Sequence, residues 1–134
     1  MRRRFLYFNG FQVAFQDWSP DGQWLVGMAW RRDKVRDFRG VAYSMEKHEY
    51  RELPKPLSGN SVRWLSDSRR LIDIEEDNKL YLFDRTTWKA REIYSFGFDA
   101  SGIALTKDDR TIYFQRTLDE ADIWLAELNN SRLP

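Results

Sequence analysis

The sequence predicts an all-β protein made of three consecutive antiparallel units of about four strands each. Three observations support this prediction: a turn motif recurs, the motifs are regularly spaced, and short runs rich in β-branched and aromatic residues follow each one. The chain has 134 residues, 42% of them apolar and 16% aromatic, which is enough to bury one hydrophobic core. Residues 1–134 are therefore predicted to form a single domain.

The recurrent turn first occurs as "WSPDG" at residues 18–22. Proline fixes φ at the second position of a type I β-turn and glycine suits the fourth, so Ser19–Gly22 fits this turn. Related segments are "WLSDS" at residues 64–68, offset by 46 residues (18 to 64), and "LTKDD" at residues 105–109, offset by a further 41 (64 to 105). The aligned aspartates are Asp21, Asp67 and Asp108. The turn therefore marks a repeated unit.

Apolar runs around the turns predict the strands of each repeat, which we name a (before the turn), b, c and d. The b runs cover residues 23–30, 70–76 and 111–117, the c runs 40–45, 79–84 and 122–128, and the d runs 50–53 and 91–95. The whole repeats occupy about residues 11–54, 59–95 and 100–128. Antiparallel four-stranded units of this length match the blades of a β-propeller, so the sequence predicts three blades, or half of a six-bladed ring.

Residues 117–128 also fit a helix. Their apolar side chains recur at heptad-like spacing, and Thr117 with Glu120 fits a capping box. Residues 123–127, however, stand where residues 80–84 stand in the preceding repeat. The repeat favours a strand, and a helix remains the alternative.

The first repeat resembles the blades of TolB-like propellers, also called PD40 or WD40-like repeats, in "WSPDG", "QWLVGMAW", "VAYSM" and "YRELP". The second repeat keeps Trp64 and Asp67 but has Ser66 and Ser68 in place of Pro and Gly, and the third keeps only Asp108 and the apolar runs. The resemblance covers nearly the whole chain. It implies a bacterial scaffold fold that also occurs beside peptidase and kinase domains, with a structural repeat motif and no catalytic residue to carry over.

Tryptophans occupy both repeat positions and loops. Trp18 and Trp64 precede the turn in their repeats, so both are expected in the core, filling the gap between neighbouring blades. Trp88 lies in the polar turn "RTTWKA" and is expected near the surface. It is a candidate partner-binding residue, with a loop aromatic folded over the blade edge as the alternative.

Composition argues against several function classes. With 22 basic and 21 acidic residues the formal net charge is +1, so attraction to nucleic acid or to a membrane surface is not expected. The chain has no cysteine and a single histidine, His48, which we interpret as a solvated turn residue. Motifs for nucleophilic catalysis, phosphate binding and dinucleotide binding are missing from the sequence. We therefore predict no enzyme activity, no cofactor and no metal site.

One segment, "RRDKVRDFRG" at residues 31–40, combines basic and aromatic residues. It predicts a surface for an acidic partner or a phosphate-bearing ligand. Interleaved Asp33 and Asp37 dilute the positive charge and also fit a solvated hairpin. Together with Trp88 the candidate partner-binding residues are Arg31, Arg32, Arg36, Phe38 and Arg39. The acidic run at residues 75–77 is interpreted as a hairpin turn.

The two ends of the chain predict an assembly. Residues 2–8 precede the first turn at the distance that separates the d runs from the later turns, so they are predicted to form a closing outer strand. The third repeat has a, b and c runs but no convincing d run. A homodimer in which residues 2–8 of each chain complete the third blade of the other would form a six-bladed ring. The rival interpretation is a fragment of a longer propeller.

The predicted function is a non-enzymatic propeller scaffold that binds a protein or peptide. The alternatives are the propeller portion of a larger enzyme, such as a prolyl-oligopeptidase-like hydrolase, or the sensor domain of a larger bacterial protein. The N-terminus opens with positive charges, but Asn9 and Gly10 interrupt the apolar stretch that a signal peptide needs. The chain as given is therefore predicted to be soluble and cytoplasmic, or periplasmic if a targeting segment was removed.

Overall fold

A computed structural model of the chain describes residues 7–8, 10–34, 37–117 and 122–128. Every regular element within these ranges is a β-strand, which confirms the prediction of an all-β fold. The strands are β1 (Tyr7–Phe8), β2 (Phe11–Trp18), β3 (Trp24–Trp30), β4 (Phe38–Ser44), β5 (Glu49–Glu52), β6 (Val62–Trp64), β7 (Arg70–Ile74), β8 (Lys79–Asp84), β9 (Lys89–Ser95), β10 (Ala100–Leu105), β11 (Thr111–Arg116) and β12 (Asp122–Glu127).

The strands form three antiparallel sheets in which chain neighbours pair. The first sheet runs β1-β2-β3-β4-β5, the second β6-β7-β8-β9, and the third β10-β11-β12. Strands β2–β5 and β6–β9 are thus two complete four-stranded units, whereas the described part of the third unit has three strands. The strand predicted for the last c run is confirmed over Asp122–Glu127, and residues 118–121 lie outside the described residues.

The recurrent turns have the same hydrogen bonds in all three sheets. The backbone N–H groups of Gly22, Ser68 and Asp109 donate to the carbonyl oxygen three residues earlier, at 2.8 to 3.1 Å. These three residues have positive φ values of 72°, 54° and 57°, so the fourth turn position is left-handed even where it is not glycine. In each turn the preceding aspartate accepts a backbone N–H from two residues later, at 2.9 to 3.1 Å. The motif therefore has a structural role.

Replacing Asp67 with alanine is expected to lower the free energy of unfolding by about 1 kcal/mol or more. The Asp67 carboxylate accepts the backbone N–H groups of Arg69 and Arg70 at 2.9 Å and pairs with the Arg70 guanidinium at 2.7 Å. Asp67→Asn keeps a side-chain acceptor and is the control, with a smaller loss. Thermal melts measure both variants. An unchanged melting temperature accompanied by lost partner binding would contradict the structural role.

Two apolar clusters hold the three sheets together. Between the first and second sheets, Val26 packs with Leu71 and Phe83, all fully buried. Between the second and third sheets, Ile72 packs with Ile112. The sheets are therefore stacked in chain order, each covering a face of the next.

The repeat-position tryptophans differ in burial. Trp64 is 5% exposed within the cluster between the first and second sheets, which confirms its core position. The same prediction is wrong for Trp18, which is 54% exposed. Trp64 has the first sheet to pack against, whereas no sheet precedes Trp18 in the described residues. Trp18 pairs with Leu25 as Trp64 pairs with Leu71, so among the described residues the two tryptophans differ in the neighbouring sheet and not in local pairing.

Side-chain hydrogen bonds also cross from sheet to sheet. The Asp17 carboxylate accepts the backbone N–H of Trp64 at 2.7 Å, joining the first and second sheets. The Asp109 carboxylate accepts the backbone N–H of Ser66 at 2.9 Å and also its hydroxyl, joining the second and third. Such bonds fix the relative register of adjacent sheets as well as their contact.

Candidate binding groove beside the third sheet

A groove lies between β9, the outer strand of the second sheet, and β12 of the third. Its cavity is about 600 Å³. The lining is mainly apolar, and the residues that matter below are Ile93, Phe96, Phe98, Phe114, Leu125 and Leu128. The position and chemistry of this groove make it the first candidate for a binding site.

Packed aromatic rings form part of the groove wall. The Phe96 ring lies 5.0 Å from the Phe114 ring, and the Phe98 ring is stacked 6.0 Å from Phe114, measured between centroids. The Arg116 guanidinium lies 4.3 Å from the Phe98 ring centroid. Because these rings pack on one another, the groove is preformed and presents an aromatic surface to whatever enters it.

The edge of the third sheet borders the groove. Within the described ranges β12 pairs only with β11, whereas its counterpart in the second sheet, β8, pairs on both sides. The side chains on β12 are unusually exposed for apolar residues: Ile123 is 84% exposed and Leu125 55%. An unpaired edge with apolar side chains is a template for a further strand. The groove therefore occupies the place where a fourth strand would pack.

The basic and aromatic residues predicted from the sequence to bind a partner lie away from this groove, at the hairpin between β3 and β4. Arg31 pairs with Asp33 at 3.0 Å, and Arg39 with Glu52 at 3.5 Å. Both guanidinium groups also lie over the Phe11 ring, 5.7 and 4.8 Å from its centroid. The structure therefore places part of this positive charge in contacts within the first sheet.

The other three candidates of that hairpin have varied positions. Arg32 is exposed and Phe38 is 45% exposed, at the start of β4. Arg36 lies outside the described residues. Partner binding by the hairpin stays a prediction.

Trp88 folds back over the edges of the first two sheets. Its indole N–H donates to the Glu52 carbonyl at 2.9 Å, and its ring packs edge-on against Phe83 at 5.0 Å. The Arg51 guanidinium lies 3.9 Å from its centroid. These contacts match the folded-over alternative and join β5 to the second sheet. Its role in partner binding remains a prediction.

A buried acidic pair, Asp73 on β7 and Glu75 just after this strand, was not identified from the sequence. Asp73 is fully buried and Glu75 nearly so, although the Glu75 backbone does begin the predicted hairpin turn. The Asp73 carboxylate accepts the backbone N–H groups of Gly59 and Ser61 at 2.9 and 3.1 Å, and Glu75 accepts that of Ser58 at 2.8 Å. The pair thus holds the segment that links the first and second sheets. The signal in the sequence was a charged residue inside the apolar run "RLIDI".

The Asp73 and Glu75 carboxyl groups interact with each other, and two carboxylates buried side by side favour the protonated form of one of them. Burial, and then the negative charge of Glu75, raises the pKa of Asp73 well above its usual value. Burial likewise raises the pKa of Glu75. Glu75 also borders a second cavity of about 400 Å³, which Met28 and Phe38 help to line. Glu75 therefore belongs both to the buried pair and to the wall of this cavity. The hydrogen bonds of the pair to backbone N–H groups stabilise the fold.

The part of the chain that the structure describes was also searched for metal-binding groups and for membrane-spanning helices. This part contains no group of three or more His, Asp or Glu side chains placed to hold a metal ion, and no helix able to cross a membrane. His48 is exposed in the turn after β4, as expected, with its Nδ1 3.3 Å from the Tyr43 hydroxyl.

Comparison with solved structures identifies the architecture as a partial β-propeller. The chain matches the β-propeller domain of the Trilobed protease from Pyrococcus furiosus with a TM-score of 0.52 and 18% identity over 88% of this chain and 41% of that one. Structures of TolB share this fold. TolB from Acinetobacter baumannii matches with a TM-score of 0.61 and 16% identity over 93% of this chain and 31% of that chain. A candidate TolB from Agrobacterium tumefaciens matches with a TM-score of 0.72 and 12% identity over 90% of this chain and 47% of that one.

These likenesses establish the fold alone, because all three identities are low. The chain spans less than half the length of each of these structures. No protein-family model and no curated protein matches the sequence. The three sheets are therefore blades, and the third lacks a described outer strand.

Proposed function

We propose that the protein is a non-enzymatic propeller scaffold that binds a protein segment in the groove beside its third blade. The segment adds to the free edge of β12 as an extended strand. The observation that carries this proposal is the contrast between β8, paired on both sides, and β12, paired on one within the described residues. Backbone hydrogen bonds supply affinity in such strand addition, and the aromatic wall supplies side-chain contacts.

A second copy of the chain is the partner that this proposal favours. Two half rings assemble into one closed six-bladed ring with C2 symmetry, in which residues 2–8 of each copy form the outer strand of the other copy's third blade. The exposed Trp18 supports this arrangement, since it occupies a repeat position that is buried when another blade stands beside it. Ring closure covers both the Trp18 side chain and the edge of β12.

Light scattering of the full chain tests the proposal, and a dimer is expected. Leu125→Arg places a charge on the edge of β12 and is expected to yield a folded monomer, because a buried unpaired charge opposes strand addition. Glu46→Arg, in the exposed turn after β4, is the control and is expected to stay dimeric.

A well-folded wild-type monomer would contradict the dimeric ring. It would favour the alternative that the chain is the propeller portion of a longer protein, such as a prolyl-oligopeptidase-like enzyme or a sensor. If the Leu125→Arg variant remains dimeric, the groove is not part of the dimer interface.

A further inference from the structure

We infer that the outer face of the third blade docks on the outer face of the first blade of a second copy, an inference that rests on the proposed function. The outer face of the third blade is defined by Tyr113, Gln115 and Ile123, which border a depression of about 600 Å³. None of these three residues lines the groove beside β12. The contact is therefore separate from strand addition in the groove.

Repeat equivalence identifies the outer face of the third blade as a junction face. The equivalent cross-strand pairs are Ile72 with Leu82 and Ile74 with Leu80 in the second blade, and Tyr113 with Leu125 and Gln115 with Ile123 in the third. Ile72 and Leu80 are buried in the cluster between the second and third blades. Their counterparts Tyr113 and Ile123 are 43% and 84% exposed. The third blade thus has apolar side chains at junction positions, with no described blade covering them.

The first blade has the matching half of a junction. Three equivalent positions of a blade face the preceding one: Trp64, Leu71 and Phe83 in the second blade, and Trp18, Leu25 and Tyr43 in the first. Those of the second blade are buried against the first. In the first blade Trp18 is largely exposed, and Leu25 and Tyr43 are half-buried. These three residues define the outer face of the first blade.

A second copy covers both outer faces at once. One chain has one half of a junction at each end of its row of blades, so a twofold axis brings the third blade of each copy against the first blade of the other. Burial of the apolar side chains on both faces favours this association. The other occupant, a further blade of a longer protein, would leave the chain as given monomeric.

A hydrogen bond distinguishes the junction between copies from the two internal ones. The Ser68 hydroxyl accepts the backbone N–H of Asp21 at 2.9 Å, and the Asp109 carboxylate accepts that of Ser66 at 2.9 Å. In both cases the fourth residue of a turn accepts an N–H from the turn of the preceding blade. The fourth residue of the first turn is Gly22, which has no side chain. The junction that the first blade makes with a second copy therefore lacks this bond.

Supplying the bond is expected to strengthen the dimer. Gly22→Asp should lower the dimer dissociation constant about tenfold relative to Gly22→Ala, because only aspartate can accept an N–H from the third turn of the partner. The position admits a side chain, since Ser68 and Asp109 have the same positive φ without being glycine. A Cβ built at Gly22 meets Trp18 Nε1 at an ordinary 3.9 Å. Sedimentation equilibrium of the full chain measures both variants, which share the same backbone strain.

Charges placed on the two faces test the contact itself. Tyr113→Arg and Trp18→Glu are each expected to raise the dimer dissociation constant at least tenfold, because each buries a charge at two symmetric junctions. Tyr113→Phe keeps the ring and is expected to dimerise like the wild type. A mixture of the Tyr113→Arg and Trp18→Glu chains is expected to form dimers that neither forms alone. In such a mixed dimer one junction has both wild-type faces, and the other joins opposite charges.

The outcomes separate this inference from the proposed function. If Tyr113→Arg dimerises like the wild type, or Gly22→Asp shows no gain over Gly22→Ala, the docking of the two faces is overturned while strand addition in the groove stands. Folded Tyr113→Arg and Trp18→Glu chains, checked by circular dichroism, that stay monomeric when mixed would also overturn it. A wild-type monomer overturns both the docking and the dimeric ring.

Discussion

Replacing Asp73 with alanine is expected to lower the free energy of unfolding by about 3 kcal/mol. The Asp73 side chain is fully buried, and its two oxygens accept the backbone N–H groups of Gly59 and Ser61. Alanine leaves both donors buried without an acceptor and leaves a cavity as well. Urea unfolding near pH 5 measures the loss, and a change below about 1 kcal/mol would contradict the role assigned to Asp73.

Glu75→Gln is the matched variant, because a glutamine oxygen still accepts the Ser58 N–H, while its amide is a hydrogen-bond donor that does not titrate. This variant is expected to remain folded and to respond differently to pH. Both pKa values of the pair are raised, by burial first. The native wild-type protein therefore binds more protons than the unfolded chain between the ordinary carboxyl pKa, about 4, and the raised values.

The sign of the pH effect follows from that difference. The pair contributes most to stability below the unfolded pKa, and its contribution falls as pH rises through the raised native values. Between pH 5 and pH 8, the free energy of unfolding of Glu75→Gln is expected to rise by about 1 kcal/mol or more relative to that of the wild type. Parallel pH profiles for the two proteins would contradict the raised pKa values of the pair.

Trp64→Ala is expected to lower the free energy of unfolding by about 3 to 5 kcal/mol, the range for large aromatic residues removed from a core. Trp64 lies in the cluster that joins the first two blades, where it packs with residues of both. Loss of its ring leaves a cavity at this junction, so the blades are expected to separate at lower denaturant concentration. Urea unfolding followed by circular dichroism measures the change.

Trp18→Ala is the internal control, because Trp18 holds the same repeat position. In a monomer, Trp18→Ala is expected to lower the free energy of unfolding by less than about 1 kcal/mol, since the Trp18 side chain is largely exposed. In a closed ring the same change is expected to weaken the dimer. Equal losses of stability for the two variants in a monomer would contradict the explanation that a neighbouring blade buries Trp64.

Much of the fold was predictable because it is encoded locally. The aspartate in each turn accepts a nearby backbone N–H, and these contacts depend on residues within a few positions of one another. The capping-box pattern at residue 117 was also local, but the strand prevailed at Asp122–Glu127, where six cross-strand pairs with β11 form. Pairing with a neighbour outweighed helical spacing.

The groove was predictable only in part. The shortage of a d run in the third repeat is visible in the sequence. Phe96 and Phe98 come from the segment that joins the second and third blades, and Phe114 comes from β11 of the third, so no local pattern indicates that their rings meet. The basic hairpin was conspicuous in composition, yet part of its charge is engaged within its own blade.

The positions of the turns and strands and the number of repeats can be predicted from the sequence, because backbone conformation and strand periodicity depend on neighbouring residues. Which of the equivalent side chains are buried depends on how the blades pack against one another. Trp18 and Trp64 have the same local setting but different exposure, and Asp73 is buried although its charge suggests a surface position. The physical reason is that burial depends on the element packed opposite a residue, and that element comes from a distant part of the chain.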